Sequence, residues 1–182
     1  IVGAGSEIGD AFVEHSVPSL ISFTGSTDIG RSVGRIAVGG NYIKRVALEL
    51  GGNAPLVVLD DADIEAAAHA AVVGRFLHQG QVCMSVNRVI VDQKIYSDFA
   101  ALVVERVQQL SVGDPNLAET VIGPIVSQSQ LTGLLNKITR ANRDGLECLH
   151  SGSASGLVLP PHVYGRVAPH HELAYDETFG PI

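Results

Sequence analysis

Two residues of this sequence have side chains suited to covalent chemistry, and each stands beside glycine. Cys83 ends the run Gly80-Gln81-Val82-Cys83, and Glu49 precedes Gly51 and Gly52, 34 residues before the cysteine. A thiolate is a strong nucleophile, and a carboxylate whose pKa is raised towards neutrality by burial can act as a general base. Because glycine permits sharp turns and the close approach of a ligand, both stretches are candidates for a catalytic site.

Each of these residues also has a plain structural interpretation. A cysteine in such a place is commonly a buried packing residue. Glu49 falls on the strand face opposite Leu48 and Leu50, and taken alone it is better explained as an exposed carboxylate at a strand end. If Cys83 is the nucleophile, its own backbone N–H can help to hold an oxyanion. The second cysteine, Cys148, lies in a strand-like segment and is predicted to be structural.

Two glycine-containing turns are candidates for binding a phosphate. Gly25 and Ser26 stand where a strand runs into a helix, and the free N–H groups of a helix N-terminus suit an anion. Simple N-capping by Ser26 or Thr27 explains this stretch equally well. The run from Gly3 to Gly9 resembles a dinucleotide fingerprint, but its third glycine comes one residue late, so an ordinary turn before a helix is an equal alternative.

The elements that must position these residues alternate between strand and helix. This alternation predicts the α/β class with mainly parallel strands, with a domain boundary near Glu49. The first residues are predicted to be the end of a strand, and further strands are predicted at 19–23, 45–50, 55–59, 86–92, 147–150 and 163–167. A helix of about ten residues is predicted after Gly5, and further helices are predicted at 26–38, 63–78, 94–110 and 127–143.

Composition narrows the class of protein further. The chain has 182 residues, 46% of them hydrophobic, and a net charge of −7. The absence of a basic cluster argues against a nucleic-acid partner, and no apolar run has the length of a membrane helix. Two cysteines make no disulfide framework, which favours a reduced, cytoplasmic protein. The histidine spacing predicts no metal site, and no Gly-x-Ser-x-Gly elbow supports a serine hydrolase.

Four stretches, taken in order, resemble the aldehyde dehydrogenase superfamily over the whole chain. They are residues 23–30 (FTGSTDIG), 49–52 (ELGG), 80–83 (GQVC) and 177–181 (ETFGP). The resemblance implies a central fragment of such an enzyme. Residues 1–48 would be the end of a Rossmann-like dinucleotide-binding domain, and residues 49–182 the first part of an α/β catalytic domain with a mainly parallel sheet.

The resemblance also implies a role for each motif residue. Cys83 would form a thiohemiacetal and then a thioester with the aldehyde, and Glu49 would activate the water that hydrolyses the thioester. The cofactor would be NAD or NADP. The sequence does not distinguish the two, because the segment that reads the ribose 2′ position is absent. Glu177 would hold the nicotinamide ribose, and Phe179 would pack near the nicotinamide. The residues expected at the cofactor are Gly5, Gly9, Thr24, Gly25, Ser26, Ile29, Leu50, Gly51, Glu177 and Phe179.

Two departures from the family pattern bear on substrate and activity. Asn53 stands where many members have lysine, and the run from Met84 to Asn87 is similar to the subgroup that acts on aromatic aldehydes such as benzaldehyde or vanillin. The expected partner is a small aldehyde, aromatic ones included, within a homodimeric or homotetrameric parent enzyme, with no nucleic acid and no membrane. The isolated fragment is expected to be inactive.

Two alternatives stay open from the sequence. The first is a catalytically inactive relative that serves as a binding or interaction fragment. The second is the acylating branch of the superfamily, in which coenzyme A replaces water. Glu49 favours hydrolysis, because the acylating branch often lacks this glutamate.

Overall fold

The computed structural model describes residues 1–182, and its elements alternate between helix and strand along most of the chain. This confirms the predicted α/β class. The helices are α1 (Gly5–Glu14), α2 (Thr27–Gly39), α3 (Ile64–Phe76), α4 (Tyr96–Gln108), α5 (Gln128–Arg143) and α6 (Glu172–Tyr175). The strands are β1 (Leu20–Gly25), β2 (Arg45–Leu50), β3 (Ala54–Val58), β4 (Val86–Val91), β5 (Glu147–His150) and β6 (Val163–Gly165).

The observed bounds differ from the predicted ones in a few places, each with a local cause. Residues 1–4 form no strand, and α1 begins directly at Gly5. Strand β6 ends at Gly165 because Arg166 has a φ of 50°, in the left-handed region that no strand uses. Helix α3 ends at Phe76, and a short 3-10 turn, Leu77–Gly80, follows it. Helix α6 has one turn and was not predicted.

The chain divides into two compact units, Ile1–Gly51 and Gly52–Ile182. The division lies close to the boundary predicted at Glu49. That the first unit belongs to a dinucleotide-binding domain and the second to a catalytic domain stays a prediction.

In the first unit, β1 and β2 lie side by side in parallel, from Leu20 opposite Arg45 to Gly25 opposite Leu50. Both strands therefore present their carboxyl ends at the same edge. The Lys44 ammonium is buried just before β2 and donates to the carbonyls of Val13 and His15 at the end of α1. The core of this unit consists of Val13, Ile21, Val33 and Ala37.

In the second unit, β3 and β4 form a parallel pair, and β5 and β6 form an antiparallel pair. The predicted mainly parallel sheet of this region is therefore two separate two-stranded pairs of different sense. Helix α3 begins at Asp63, whose side chain accepts from the N–H groups of Glu65 and Ala66. Separate apolar clusters pack α3 and α4 on the parallel pair and α5 on Ile125 and Leu159. No helix combines the length and hydropathy needed to cross a bilayer.

Candidate active site

The first unit brings four of the predicted site residues to one edge of its sheet. Thr24 pairs with Glu49, and Gly25 pairs with Leu50, at the carboxyl ends of β1 and β2. Ligands of α/β proteins bind outside the carboxyl ends of parallel strands, so this is the edge at which a dinucleotide is expected. Glu49 is exposed there, as its plain structural interpretation predicted.

The N-terminus of α2 has unused hydrogen-bond donors. Ser26 occupies the N-cap position, but its side chain makes no capping hydrogen bond, and the first main-chain bond of the helix runs from Gly30 N to Ser26 O. By contrast, Ser127 caps α5 by accepting from Gln130 N at 3.2 Å. Ser26 is therefore the N-cap residue, as the alternative of N-capping by Ser26 or Thr27 predicted, but its side chain does not bond to the helix. The hydroxyl and the first-turn amides of α2, including that of the exposed Ile29, are free to meet a phosphate.

Gly25 lies close to a neighbouring side chain, whereas Gly5 and Gly9 have open space around them. A Cβ at Gly25 would lie 2.5 Å from the Phe23 ring, so any larger residue would displace that ring. A Cβ at Gly5 or Gly9, both in α1, would meet no atom within 4 Å. Gly51 follows β2 as the last residue of the first unit. The cofactor roles of these glycines stay predictions.

In the second unit, Cys83 follows a backbone segment that few sequences adopt. His78, Gln79 and Gly80 have φ values of 49°, 57° and 67°, all in the left-handed region. A Cβ at Gly80 would overlap the carbonyl oxygen of Gly180, so only glycine fits there. Runs of left-handed residues are costly and persist only where the surrounding structure enforces them. The segment therefore fixes the direction from which the chain enters the Cys83 turn.

The turn itself exposes the thiol. Ser85 N donates to Val82 O at 3.0 Å, which places Cys83 and Met84 at its tip, both exposed. The predicted alternative of a buried packing cysteine is therefore wrong. No acceptor within the chain receives the Cys83 N–H, so this amide is free to donate to an oxyanion. Gln81 anchors the turn, because its Oε1 accepts from Val126 N at 2.9 Å.

Gly52 connects two of the predicted site stretches within this unit. Its N–H donates to Glu177 Oε1 at 3.3 Å. A Cβ at Gly52 would stand 3.8 Å from the carbonyl oxygen of Cys83, in ordinary contact. The Glu177 stretch and the Cys83 turn are therefore both neighbours of Gly52. Phe179 is half-buried, and its carbonyl accepts from Gln130 Nε2 at 2.9 Å.

The segment around Glu177 is held by side chains that the sequence motifs did not include. Asn53 Nδ2 donates to Ala174 O at 3.0 Å and to Tyr175 O at 2.8 Å, at the end of α6. Lys137 Nζ donates to the carbonyl of Glu177 at 2.7 Å. Thr178, between Glu177 and Phe179, is bound through all of its polar groups by Arg75, Asn87 and Lys137. A single arginine among the apolar residues of α3 was the sequence signal that could have indicated this network.

Burial sets the charge properties of the two cations in this network. Desolvation lowers the pKa of Arg75 to about 10, partly opposed by the nearby Glu177, so the guanidinium stays protonated at neutral pH. Desolvation also lowers the pKa of Lys137, opposed by Glu172 and Asp176.

The second cysteine, Cys148, is exposed on β5, with Sγ 3.5 Å from His150 O. No three His, Cys, Asp or Glu side chains lie together in a group that could hold a metal ion.

Comparison with known proteins shows the family of the chain. The whole chain, residues 1–182, matches the aldehyde dehydrogenase family. It is 54% identical over its full length to a vanillin dehydrogenase of Corynebacterium glutamicum, and 45% identical over 177 residues (97% of the chain) to the benzaldehyde dehydrogenase YfmT of Bacillus subtilis.

The crystal structure of an NAD-dependent benzaldehyde dehydrogenase from Corynebacterium glutamicum superposes with a TM-score of 0.94 at 54% identity, covering 100% of this chain and 39% of that one. The chain spans 38% of the length of the vanillin dehydrogenase and 36% of YfmT. A match over every residue shows the family directly. The chain belongs to the aldehyde dehydrogenase family.

Proposed function

We propose that this chain carries the nucleophile, the general base and part of the dinucleotide site of an enzyme that oxidises aromatic aldehydes to carboxylic acids. The observation that carries the proposal is the exposed thiol of Cys83, at the tip of a turn with an unused N–H of its own. Relatives described as vanillin and benzaldehyde dehydrogenases support the aromatic substrate class.

The first step assigned to Cys83 is addition to the aldehyde. The thiolate forms a C–S bond with the carbonyl carbon, and the C=O π pair moves onto oxygen, giving a thiohemiacetal oxyanion. The N–H of Cys83 is placed to donate to that oxyanion. The chemistry that a bound nicotinamide supplies is hydride acceptance, which turns the adduct on Cys83 into a thioester.

The second step assigned to this chain is release of the acid. Glu49 accepts a proton from water, the resulting oxygen nucleophile attacks the thioester carbon, and the Cys83 thiolate leaves. A carboxylate distinct from the thiol is needed because the thiol is acylated at this stage. Glu49 favours water over coenzyme A as the acyl acceptor, and no finding supports the alternative of an inactive relative.

Each unit has residues that suit one part of a dinucleotide. The free amides at the start of α2 and the uncommitted hydroxyl of Ser26 suit the pyrophosphate. The carboxylate of Glu177 suits the ribose hydroxyls, since it accepts only one hydrogen bond, from Gly52 N. The solved structure from Corynebacterium glutamicum is described as NAD-dependent, which supports NAD for this chain, with NADP as the second candidate.

The test is a substrate panel on the complete gene product. We expect benzaldehyde, vanillin and salicylaldehyde to reduce NAD, NADP or both, with the carboxylic acid as product in the absence of coenzyme A. Absorbance of the reduced cofactor and chromatography of the product measure both results. Failure of every aldehyde to support reduction would contradict the proposal, and a strict requirement for coenzyme A would favour the acylating branch.

Ser26→Ala is expected to weaken dinucleotide binding without a large loss of stability. An N-cap serine usually contributes about 0.5–2 kcal/mol, but Ser26 makes no capping bond. We expect the free energy of unfolding to fall by less than about 0.5 kcal/mol, and the Kd for NAD to rise about 3- to 10-fold from one lost hydrogen bond. Chemical denaturation and fluorescence titration measure the two effects.

Ser127→Ala is the matched control for Ser26→Ala. Ser127 does cap its helix, through Gln130 N, so this variant should lose about 1 kcal/mol of stability and keep its affinity for NAD. The opposite pattern, with Ser26→Ala losing stability and keeping NAD affinity, would show that Ser26 serves only the helix.

A further inference from the structure

One buried cation contacts both the turn that carries Cys83 and the segment that carries Glu177 and Phe179. Arg75, in the last turn of α3, is 7% exposed. Its Nη1 donates at 3.3 Å to Ser85 Oγ and at 3.3 Å to Val86 O, directly after the Cys83 turn. The Ser85 hydroxyl in turn lies 3.0 Å from the Arg75 carbonyl. One half of the guanidinium is thus committed to the exit of the thiol's turn.

The other half of the same guanidinium binds the Glu177 segment. Arg75 Nη2 donates to Thr178 O at 2.5 Å and also to Gly180 O, so the two accepting carbonyls flank Phe179. Gly180 packs closely on this arrangement, because its carbonyl leaves no room for a side chain at Gly80. The planar fork of arginine can serve both stretches at once, which a lysine ammonium on a flexible stem does less well.

Thr178 is the anchor of that segment. It is 3% exposed, and each of its polar groups has a partner on a different element. Its N–H donates to Asn87 Oδ1 on β4 at 2.8 Å, and its hydroxyl accepts from Lys137 Nζ on α5 at 3.2 Å. Its carbonyl accepts from Arg75 on α3. The backbone between Glu177 and Phe179 is therefore fixed from three sides.

The cation has no carboxylate among its hydrogen-bond partners: carbonyl and hydroxyl oxygens alone accept from its two Nη groups, and its buried Nε–H has no partner. A buried charge is costly unless such partners are well placed. We propose that Arg75 is a positioning residue that connects the Cys83 turn to the Glu177–Phe179 segment. It thereby holds the thiol and the nicotinamide end of the cofactor in a fixed position relative to each other. The inference rests on the proposed function for the roles of Cys83, Glu177 and Phe179.

The test compares Arg75→Met, Arg75→Lys and the control Arg106→Met in the complete gene product. Arg106 is on the neighbouring α4 and pairs with Glu65, away from both stretches. Each variant is titrated with NAD by fluorescence, and the rate of iodoacetamide alkylation of Cys83 is measured against pH with and without NAD. In the wild type we expect bound NAD to change the rate of Cys83 alkylation. We expect Arg75→Met to raise the Kd for NAD about 10-fold or more and to remove this change in rate. Arg75→Lys should restore part of both, and Arg106→Met should match the wild type.

A purely structural role gives a different result. Arg75→Met would then lower the melting temperature while its folded fraction kept the wild-type Kd for NAD and the wild-type alkylation profile, which overturns the inference. If Arg75→Met does not fold, Arg75→Lys decides: wild-type values in both measurements overturn the inference, and a raised Kd supports it.

The proposed function and the role of Arg75 are tested by different results. An active Cys83→Ala enzyme would overturn the proposed function, while NAD titration of Cys83→Ala with and without Arg75→Met still reports whether Arg75 positions the cofactor segment.

Discussion

Replacing Cys83 with alanine is expected to abolish aldehyde oxidation in the complete gene product while dinucleotide binding persists. Without the thiol no covalent adduct forms, and removal of a nucleophile from a catalytic unit lowers kcat by up to about 10⁶-fold. Cys83 is exposed at the tip of its turn, so alanine leaves no cavity and should not disturb the fold. Turnover assays and fluorescence titration with NAD measure the two properties separately.

Cys148→Ala is the matched control for this prediction. Cys148 is also exposed, but it lies on β5 and in none of the four motif stretches. We expect this variant to keep the wild-type kcat and the wild-type KM. Near wild-type turnover by Cys83→Ala would show that another group is the nucleophile, and loss of activity in both variants would indicate a general effect of removing thiols.

Glu49→Gln is expected to separate the two halves of the reaction. Addition of the thiol and loss of hydride do not need the carboxylate, so a first equivalent of reduced cofactor should form at a near-normal rate. Hydrolysis of the thioester should then slow by roughly 10²–10⁴-fold, the usual contribution of a positioned base. Rapid-mixing absorbance would show a burst followed by slow turnover.

Glu14→Gln provides the comparison, because Glu14 is an exposed carboxylate of the same unit at the end of α1. It should show neither the burst nor the slow phase. Loss of the burst itself in Glu49→Gln would move the carboxylate to an earlier step, such as activation of the thiol.

Local signals in the sequence were sufficient for most elements and for one part of the site. Helix α2 was predicted from its apolar spacing and start residues, and Gly39 ends it as expected. Two strands joined by a helix predict a parallel pair, and that pairing alone brings Thr24 and Glu49 together at one edge. The crossover through α2 accounts for the parallel sense of the pair, whereas the register that sets Thr24 opposite Glu49 is seen only in the structure.

The packing around the Cys83 turn was beyond local signals. Arg75 and Thr178 are 103 residues apart, and Asn87 and Thr178 are 91 apart, so no periodicity connects them. His78 and Gln79 adopt left-handed backbone without being glycine, which propensity does not predict. Whether the Ser26 side chain caps α2 also depends on the direction of that side chain, which the sequence does not specify. Phosphate binding and N-capping were therefore equal alternatives from the sequence.

In the proposed reaction the aldehyde becomes covalently bound to Cys83, and mass spectrometry of the trapped intermediate can detect this bond. Glu49→Gln is mixed with benzaldehyde and NAD, quenched in acid, weighed intact and digested. We expect a mass gain of one benzoyl group per chain, located on the peptide that contains Cys83 and absent when NAD is omitted. A benzoyl group on another residue, or turnover of benzaldehyde with no acylated Cys83 at any time, would show that Cys83 is not the nucleophile.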